Sequence, residues 1–260
     1  MRIHALRTGV VEVSEALTTG TGLTRRAKVM RKGPMLGPLP IHAWLVEAGD
    51  RLILVDSGET AGVRDAPFAR FRVTAADEID KQVEAAGFAV GDLDMVVLTH
   101  VHGDHADGVP RLGDARVVIS REEAKVIRSA EARLARRITG QPLPDGFAPE
   151  AIDLDDGPVG GFARSKAIAG GVHVVATPGH TAGHVSVLVD QGDHHVLLAG
   201  DVAYDEAQLR AVQVDGVSPK AGVARNTMNM VLGHAARHPT VFLPSHDRES
   251  AARLEATVTL

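Results

Sequence analysis

Thr99-His100-Val101-His102-Gly103-Asp104-His105 follows directly on the apolar run Met95-Val96-Val97-Leu98. Four strong ligand side chains, His100, His102, Asp104 and His105, fall within six residues. Imidazole nitrogen and carboxylate oxygen together suit zinc or a similar borderline divalent ion. The i, i+2 spacing points the rings of His100 and His102 the same way where a strand runs out into a loop. Asp104 and His105 lie just past the bend, where they can turn toward a second ion. A histidine-rich surface loop is the competing reading, but it leaves unexplained why an apolar strand empties straight into the cluster.

Other apolar runs end in the same way. Val172 to Ala176 ends at Thr177-Pro178-Gly179-His180, His195 to Leu198 leads to Gly200-Asp201, and Thr240 to Leu243 leads to Pro244-Ser245-His246-Asp247. Arg51 to Val55 ends at Asp56-Ser57-Gly58. Strand ends in a layered α/β fold collect along one edge, where loops carry sites. Hairpin signals stand at Ala48-Gly49-Asp50 and Asp190-Gln191-Gly192-Asp193. A helix is expected over Thr74 to Ala86, with Thr74 and Asp77 as a capping box and Gly87 as the stop. Ser120 with Glu123 caps a second helix running to about Arg137, and a third spans about Pro219 to His238. Each half thus reads as strands, a helix, then a ligand-bearing strand. That predicts two facing β-layers with helices outside, an α/β fold of the four-layer αββα kind, as one domain over residues 1–260. Thr18 to Pro40 reads as a long N-terminal loop, and about 120–171 as a helical and irregular insertion, plausible as a lid. Gly20-Thr21-Gly22 is only a fragment of a dinucleotide fingerprint and is dismissed.

Composition narrows the function. With 44% hydrophobic and 23% charged residues, the chain can bury a core without staples. A formal net charge of -5 argues against nucleic acid as a partner, since phosphate binding needs a basic face. Cysteine is absent, so any metal must be held by nitrogen and oxygen. The first nine residues lack the apolar core of a signal peptide, and no run approaches the length of a membrane span. A cytoplasmic location without membrane association is therefore expected.

Five histidines and two aspartates are available as ligands: His100, His102, His180, Asp104, His105, His246 and Asp201. One four-coordinate zinc with an open position needs only three protein ligands. Seven suit two ions that share a carboxylate. His100, His102 and His180 are placed on the first, Asp104, His105 and His246 on the second, with Asp201 bridging. Two such ions, about 3.5–4 Å apart, can hold a bridging hydroxide as nucleophile at neutral pH. Zinc is the expected metal, and iron, cobalt or manganese fit the same donors. His184 is expected to support His180 by a hydrogen bond or to pack beneath it, and Asp56 either orients a ligand imidazole or caps its strand. His234 and His238 lack the glutamate of a zincin motif and read as a solvated helix face, while His194 and His195 receive no role.

His100-Val101-His102-Gly103-Asp104-His105, Pro178-Gly179-His180-Thr181-Ala182-Gly183-His184, Gly200-Asp201 and Ser245-His246 resemble the motifs of the metallo-β-lactamase superfamily, over residues 44 to 247. The resemblance implies that family's fold and a metal-dependent hydrolase, without fixing the substrate. Tyr204, the only tyrosine, lies three residues after Asp201. That arrangement resembles the N-acyl-homoserine lactonases, in which the phenol lies over the dinuclear centre. It implies opening of an acyl-homoserine lactone ring by the bridging hydroxide, with Tyr204 holding the oxyanion and Asp104 or Asp201 carrying the proton. The consequence would be quenching of bacterial acyl-lactone signals. Hydrolysis of a glutathione thioester or an organophosphate triester is the nearer alternative, and a non-hydrolytic or nuclease member the more distant one. Gly103 and Asp107 depart from the lactonase pattern, which puts acyl-chain preference in question. An acyl tail is expected to meet aliphatic side chains and methionines such as Met30 and Met35. The resemblance also implies a possible homodimer.

Overall fold

Two-residue periodicity in the longest strands sorts side chains between two cores. Trp44 and Val46 share one buried cluster with Ile53, Val55, Val97, Val174, Val187, Leu198 and Leu243. Their neighbours Ala43 and Leu45 share another with Leu54, Val96, Ile79 and Val83. Both faces of these strands are thus apolar, which is why they read as continuous hydrophobic runs rather than as alternating ones. The computed structural model describes residues 1–20, 22, 24–31, 33–139 and 142–260. Thr21 of the dismissed fingerprint fragment and Gly140 of the expected insertion lie outside them.

The chain opens with β1 (Arg2–Ser14), the short helices α1 (Glu15–Thr18) and α2 (Arg25–Val29), β2 (Met35–Ala48), β3 (Arg51–Val55) and β4 (Ala69–Arg72). It continues through α3 (Ile79–Ala85), β5 (Met95–Val97), α4 (Gly103–Ala106), β6 (Val117–Ser120), α5 (Arg121–Arg128), α6 (Ala130–Thr139) and β7 (Glu150–Ile152). These strands form a seven-stranded sheet in the order β4-β1-β2-β3-β5-β6-β7, antiparallel up to β3 and parallel beyond it. The second half supplies β8 (Ser165–Ala169), β9 (Val172–Ala176), β10 (Val185–Asp190), β11 (His195–Gly200), α7 (Glu206–Arg210), α8 (Ala221–Ala235), β12 (Thr240–Pro244) and α9 (Ser250–Glu255). Its five-stranded sheet has the order β12-β11-β10-β9-β8, with only β11 and β12 parallel.

The two sheets face each other across the Trp44 cluster. Helix α3 covers the outer face of the first sheet, and α7 and α8 cover the second through Leu209, Met228, Val231, Leu197 and Phe242. The result is the expected four layers, αββα. No helix among the described residues is long and apolar enough to cross a membrane.

Several local expectations need correction. Helix α3 begins at Ile79, not Thr74, because the Asp77 carboxylate accepts from the Thr74 amide at 2.8 Å and its hydroxyl at 2.6 Å, closing a separate turn. The helix expected to Arg137 is two helices. Ser129 breaks it with ψ of 153° and caps α6 by accepting from the Ala132 amide at 3.1 Å. The expected N-terminal loop over 18–40 contains α2 and the start of β2. Residues 150–152 and 165–169, assigned to an irregular insertion, are edge strands, one for each sheet.

His234 is not on a solvated face. It is fully buried, donates from Nδ1 to the Gly160 carbonyl, and stacks with His195 and His238 at centroid distances of 5.0 Å each. Burial lowers the His234 pKa; the Gly160 carbonyl opposes this, and His195, His238 and Arg237 add to it. Below about pH 6.5, the ordinary imidazole value, the unfolded chain takes up a proton that folded His234 resists. Its contribution to stability is therefore present above that pH and is lost as the pH falls. Urea unfolding of metal-free protein at about pH 7.5 and about pH 5.5 should show a larger loss on acidification for the native chain than for His234→Gln. Equal losses would contradict this.

Candidate metal centre

The strand ends deliver their ligands to one place. His100, His102 and His180 bring ligand atoms within 4.8 Å of one another, as do Asp104, His105 and His246. His100, His105 and Asp201 form a third such group, linking the other two. Asp201 places carboxylate oxygens 3.3 Å from His180 Nε2, 3.4 Å from His105 Nε2 and 3.5 Å from His246 Nε2. All seven residues picked out from the sequence therefore meet. All are buried except Asp104, which is half-buried, and His102, which is exposed at the rim.

The outward nitrogens decide what the inward ones present. His105 Nδ1 donates to Asp56 Oδ2 at 2.8 Å, His180 Nδ1 to Asp215 Oδ2 at 2.8 Å, and His246 Nδ1 to the Pro40 carbonyl at 2.9 Å. The Thr99 hydroxyl donates to Asp56 Oδ2 at 2.9 Å, so at its 3.1 Å contact with His100 Nδ1 it must accept. Each of these four rings is thereby fixed as the tautomer with a bare Nε2 facing the cluster. His100 Nε2 at 3.0 Å and His180 Nε2 at 2.9 Å both face His102 Nδ1, which can give a proton to only one of them. His105 Nε2 and Asp201 Oδ1 are buried with no hydrogen-bond partner. Convergent acceptors of this kind fit divalent cations and little else.

The charges agree with this picture. Burial opposes ionisation of Asp201, yet His246, His105 and His180 outweigh it and hold the carboxyl well below its usual range. Burial likewise opposes a charge on His105, but Asp201, Asp56 and Asp104 hold its pKa well above the ordinary imidazole value. His100, buried and facing three other imidazoles, is pushed well below it. Without a cation the cluster must therefore take up protons to balance its carboxylates.

The framework behind the ligands is specific. Asp56 has φ of 63°, a left-handed conformation that aspartate tolerates, and its carboxylate gathers the Thr99 amide at 2.7 Å besides Thr99 Oγ1 and His105. That settles its role as an orienting carboxylate. Gly200, at φ 55°, lets β11 end against neighbours that a Cβ would meet at 2.7 Å (His184 Nε2) and 2.9 Å (Thr99). His184 makes no hydrogen bond to His180 but stands edge-on to it, with ring centroids 6.4 Å apart. Its Nδ1 donates to the Thr177 carbonyl and its Nε2 accepts the Asp201 amide at 3.0 Å, so it fixes the backbone of Asp201. Burial, with His180 nearby, pushes its pKa down to about 3, which keeps it neutral for that task.

Asp215 was not picked out from the sequence. Asp215-Gly216 signals only a turn, and Asp215 Oδ1 does accept from the Val217 and Ser218 amides. The second oxygen, on His180, has no sequence signal. Gly103 and Asp107 prove to be linked: a Cβ on Gly103 would lie 3.0 Å from Asp107 Oδ2 and 3.1 Å from Glu59 Oε2. Burial, with Asp107 beside it, pushes the Glu59 carboxyl up to about 9, and burial with Asp104 pushes Asp107 up to about 6. The wall beside Asp104 is thus a pair of buried carboxyl groups, Glu59 and Asp107, each of which resists ionisation.

Tyr204 stacks on His246, with ring centroids 5.4 Å apart and planes at 21°. It also belongs to a buried apolar cluster with Val11, Val13, Leu17, Val29 and Ile41. Met30 and Met35 do not belong to it, and Met30 is exposed.

The model of the family described as the metallo-beta-lactamase superfamily matches residues 36–255. The chain belongs to that superfamily. Within it, the chain is 32% identical over 183 residues to a probable metallo-hydrolase of Mycobacterium tuberculosis, covering 65% of this chain and 58% of that protein. It is 29% identical over 177 residues to an N-acyl homoserine lactonase of a Bacillus species, covering 64% of this chain and 65% of the relative. Both matches span less than two thirds of the relatives' own length. A solved structure of an N-acyl homoserine lactone hydrolase, with the product N-hexanoyl-L-homoserine at its catalytic metal centre, superposes with a TM-score of 0.75. It is 19% identical, covering 96% of this chain and 94% of that one, and so this member of the metallo-beta-lactamase superfamily shares its fold nearly end to end.

Proposed function

We propose that this chain is a dinuclear metal-dependent hydrolase that opens the lactone ring of N-acyl-homoserine lactones, and so quenches bacterial acyl-lactone signals. The observation that carries the reading is the placement of Tyr204 against His246. Burial, then Asp201, Asp215 and Asp104, hold its pKa well above the ordinary phenol value, so the hydroxyl stays protonated and able to donate. A neutral phenol at that position can hydrogen-bond an oxyanion as it develops on a ring carbonyl.

His100, His102 and His180 would hold one divalent ion and Asp104, His105 and His246 another, with Asp201 within reach of both groups; such ions, when bound, would supply a nucleophile at neutral pH and a Lewis acid. Zinc suits these donors, as do iron, cobalt and manganese. The chain contributes the rest. Asp56, Asp215, Thr99 and the Pro40 carbonyl keep the ligand imidazoles in one tautomer and orientation. Asp104 is the better placed proton carrier for the leaving alkoxide, because its side chain is 18% exposed against 4% for Asp201. Leu39, Val63 and Phe68, partly buried beside the Tyr204 cluster, offer the acyl tail apolar surface.

A chromatographic panel of acyl-homoserine lactones of graded tail length, beside aliphatic lactones, a glutathione thioester and a phosphotriester, tests the reading. The ring-opened acyl-homoserine acid is the expected product, and Tyr204→Phe should lower turnover on it by ~10²-fold, the cost of losing one oxyanion donor. Metal-loaded protein that opens no lactone of any tail length would overturn the proposal, and turnover of the thioester or triester alone would reassign the substrate.

A further inference from the structure

Ser120 and Glu123 have the spacing of a capping box, in which the glutamate carboxylate turns back to the first amide of its own helix. Only half of that box forms. Ser120 Oγ accepts from the Glu123 amide at 2.9 Å, but the Glu123 carboxylate leaves the helix altogether. Its Oε1 accepts from the Val101 amide at 3.1 Å, between His100 and His102. Its Oε2 accepts from the Thr181 hydroxyl at 2.7 Å, next to His180. The Ser120 hydroxyl in turn donates to the Gly183 carbonyl at 2.6 Å. A Cβ on Gly183 would overlap the Glu123 backbone nitrogen, so the first turn of α5 sits directly on the His180 loop.

The two loops so joined come from opposite sheets, one following β5 and the other β9. The Val185 amide, donating to the Thr99 carbonyl at 2.9 Å, joins the same two stretches through the backbone, and Glu123 adds a side-chain link beside the ligand residues themselves. Glu123 is 1% exposed, and a buried carboxylate is costly unless each partner is in place. Burial pushes its pKa up, while Thr181 and Val101 pull it back, so the group is held by those contacts rather than by solvent.

We infer that Glu123 is a positioning residue, a buried clasp that sets the separation of the His100–His102 loop from the His180 loop and thereby the affinity of the ion those three histidines hold. The inference rests on the metal centre proposed above and is independent of the substrate. Glu123 acts on one ion more than on the other. Val101 lies between two ligands of the first group and Thr181 follows the third, whereas His246 approaches from β12.

Cobalt titration of the metal-free protein, followed by absorption and by chelator competition, reads the two sites separately. Glu123→Ala should weaken one of two bound Co²⁺ ions by ~10–100-fold and leave the other within about threefold, the scale for loss of an orienting partner. Glu123→Gln keeps an acceptor for Val101 and a group that can pair with Thr181, and should restore binding to within about threefold. Thr181→Val removes one arm only, and should give a smaller selective loss even if the alanine variant folds poorly. Thermal unfolding of the metal-free variants provides the control. Selective cobalt loss with glutamine rescue supports the clasp. Unchanged binding in both Glu123→Ala and Thr181→Val would overturn it, as would equal weakening of both ions in step with lost metal-free stability. Failure of the lactone panel alone would leave the clasp standing, whereas native protein that binds no cobalt would sink both.

Discussion

Asp201→Asn is expected to lower lactone turnover by ~10³-fold or more, the several kcal/mol of transition-state stabilisation that a correctly held Lewis acid supplies. Asp201 is the one carboxylate among the described residues placed within 3.5 Å of ligand nitrogens from both groups, His180 on one side and His105 and His246 on the other. Asparagine is the same size but carries no charge, so it cannot balance two cations. The fold should survive, because an amide N–H can pair with a bare Nε2 and the backbone of Asp201 stays tied to His184. Kinetics and metal content measured on the same preparation check this. Turnover within about tenfold of the native value would show that the carboxylate does not join the two groups.

Asp56 carries the second large effect, and here two substitutions separate folding from chemistry. Asp56→Ala strips partners from the Thr99 amide, the Thr99 hydroxyl and His105 Nδ1, all buried, and puts alanine at φ 63°. The metal-free protein should lose about 3–5 kcal/mol of unfolding free energy, the range for breaking a buried charged hydrogen-bonded group. Asp56→Asn tolerates the left-handed backbone and can still accept from the Thr99 amide. Its amide nitrogen, however, presents a donor where His105 Nδ1–H needs an acceptor. His105 should then flip its tautomer and turn a proton toward the cluster, so the asparagine variant should keep most of the stability while metal affinity falls ~10–100-fold. Urea unfolding and chelator competition on the two variants test the separation. Equal loss of stability in both would mean that Asp56 acts only as a structural strap.

Four of the proposed metal ligands were legible because each follows shortly after an apolar strand stops. His100, His180, Asp201 and His246 follow runs whose burial on both faces leaves a strong hydrophobic signal, and strand ends in such a layered fold fall on one edge. Their orienting partners were legible only where they share that position, as Asp56 does. Asp215 reaches the site from a turn, the Pro40 carbonyl from within β2 and the Glu123 carboxylate from a helix start, and their local signals describe only those elements. Glu123 is the clearest case, since its spacing from Ser120 predicts a bond to its own helix and tertiary contacts redirect it. His234 misled in the other direction: the exposed-face pattern of α8 conceals a histidine stack that forms only when β11 packs alongside. Edge strands β7 and β8 are three and five residues long, too short to show a period within a segment rich in proline and glycine.

A metal titration of chelated protein, with lactone ring opening as the readout, counts the ions that the proposed hydrolase needs. Activity should be absent from the metal-free chain, rise as divalent ion is added, and level off at two equivalents per chain. Full turnover in the metal-free protein, or a plateau at one equivalent, would contradict a centre built from two groups of ligands joined by Asp201.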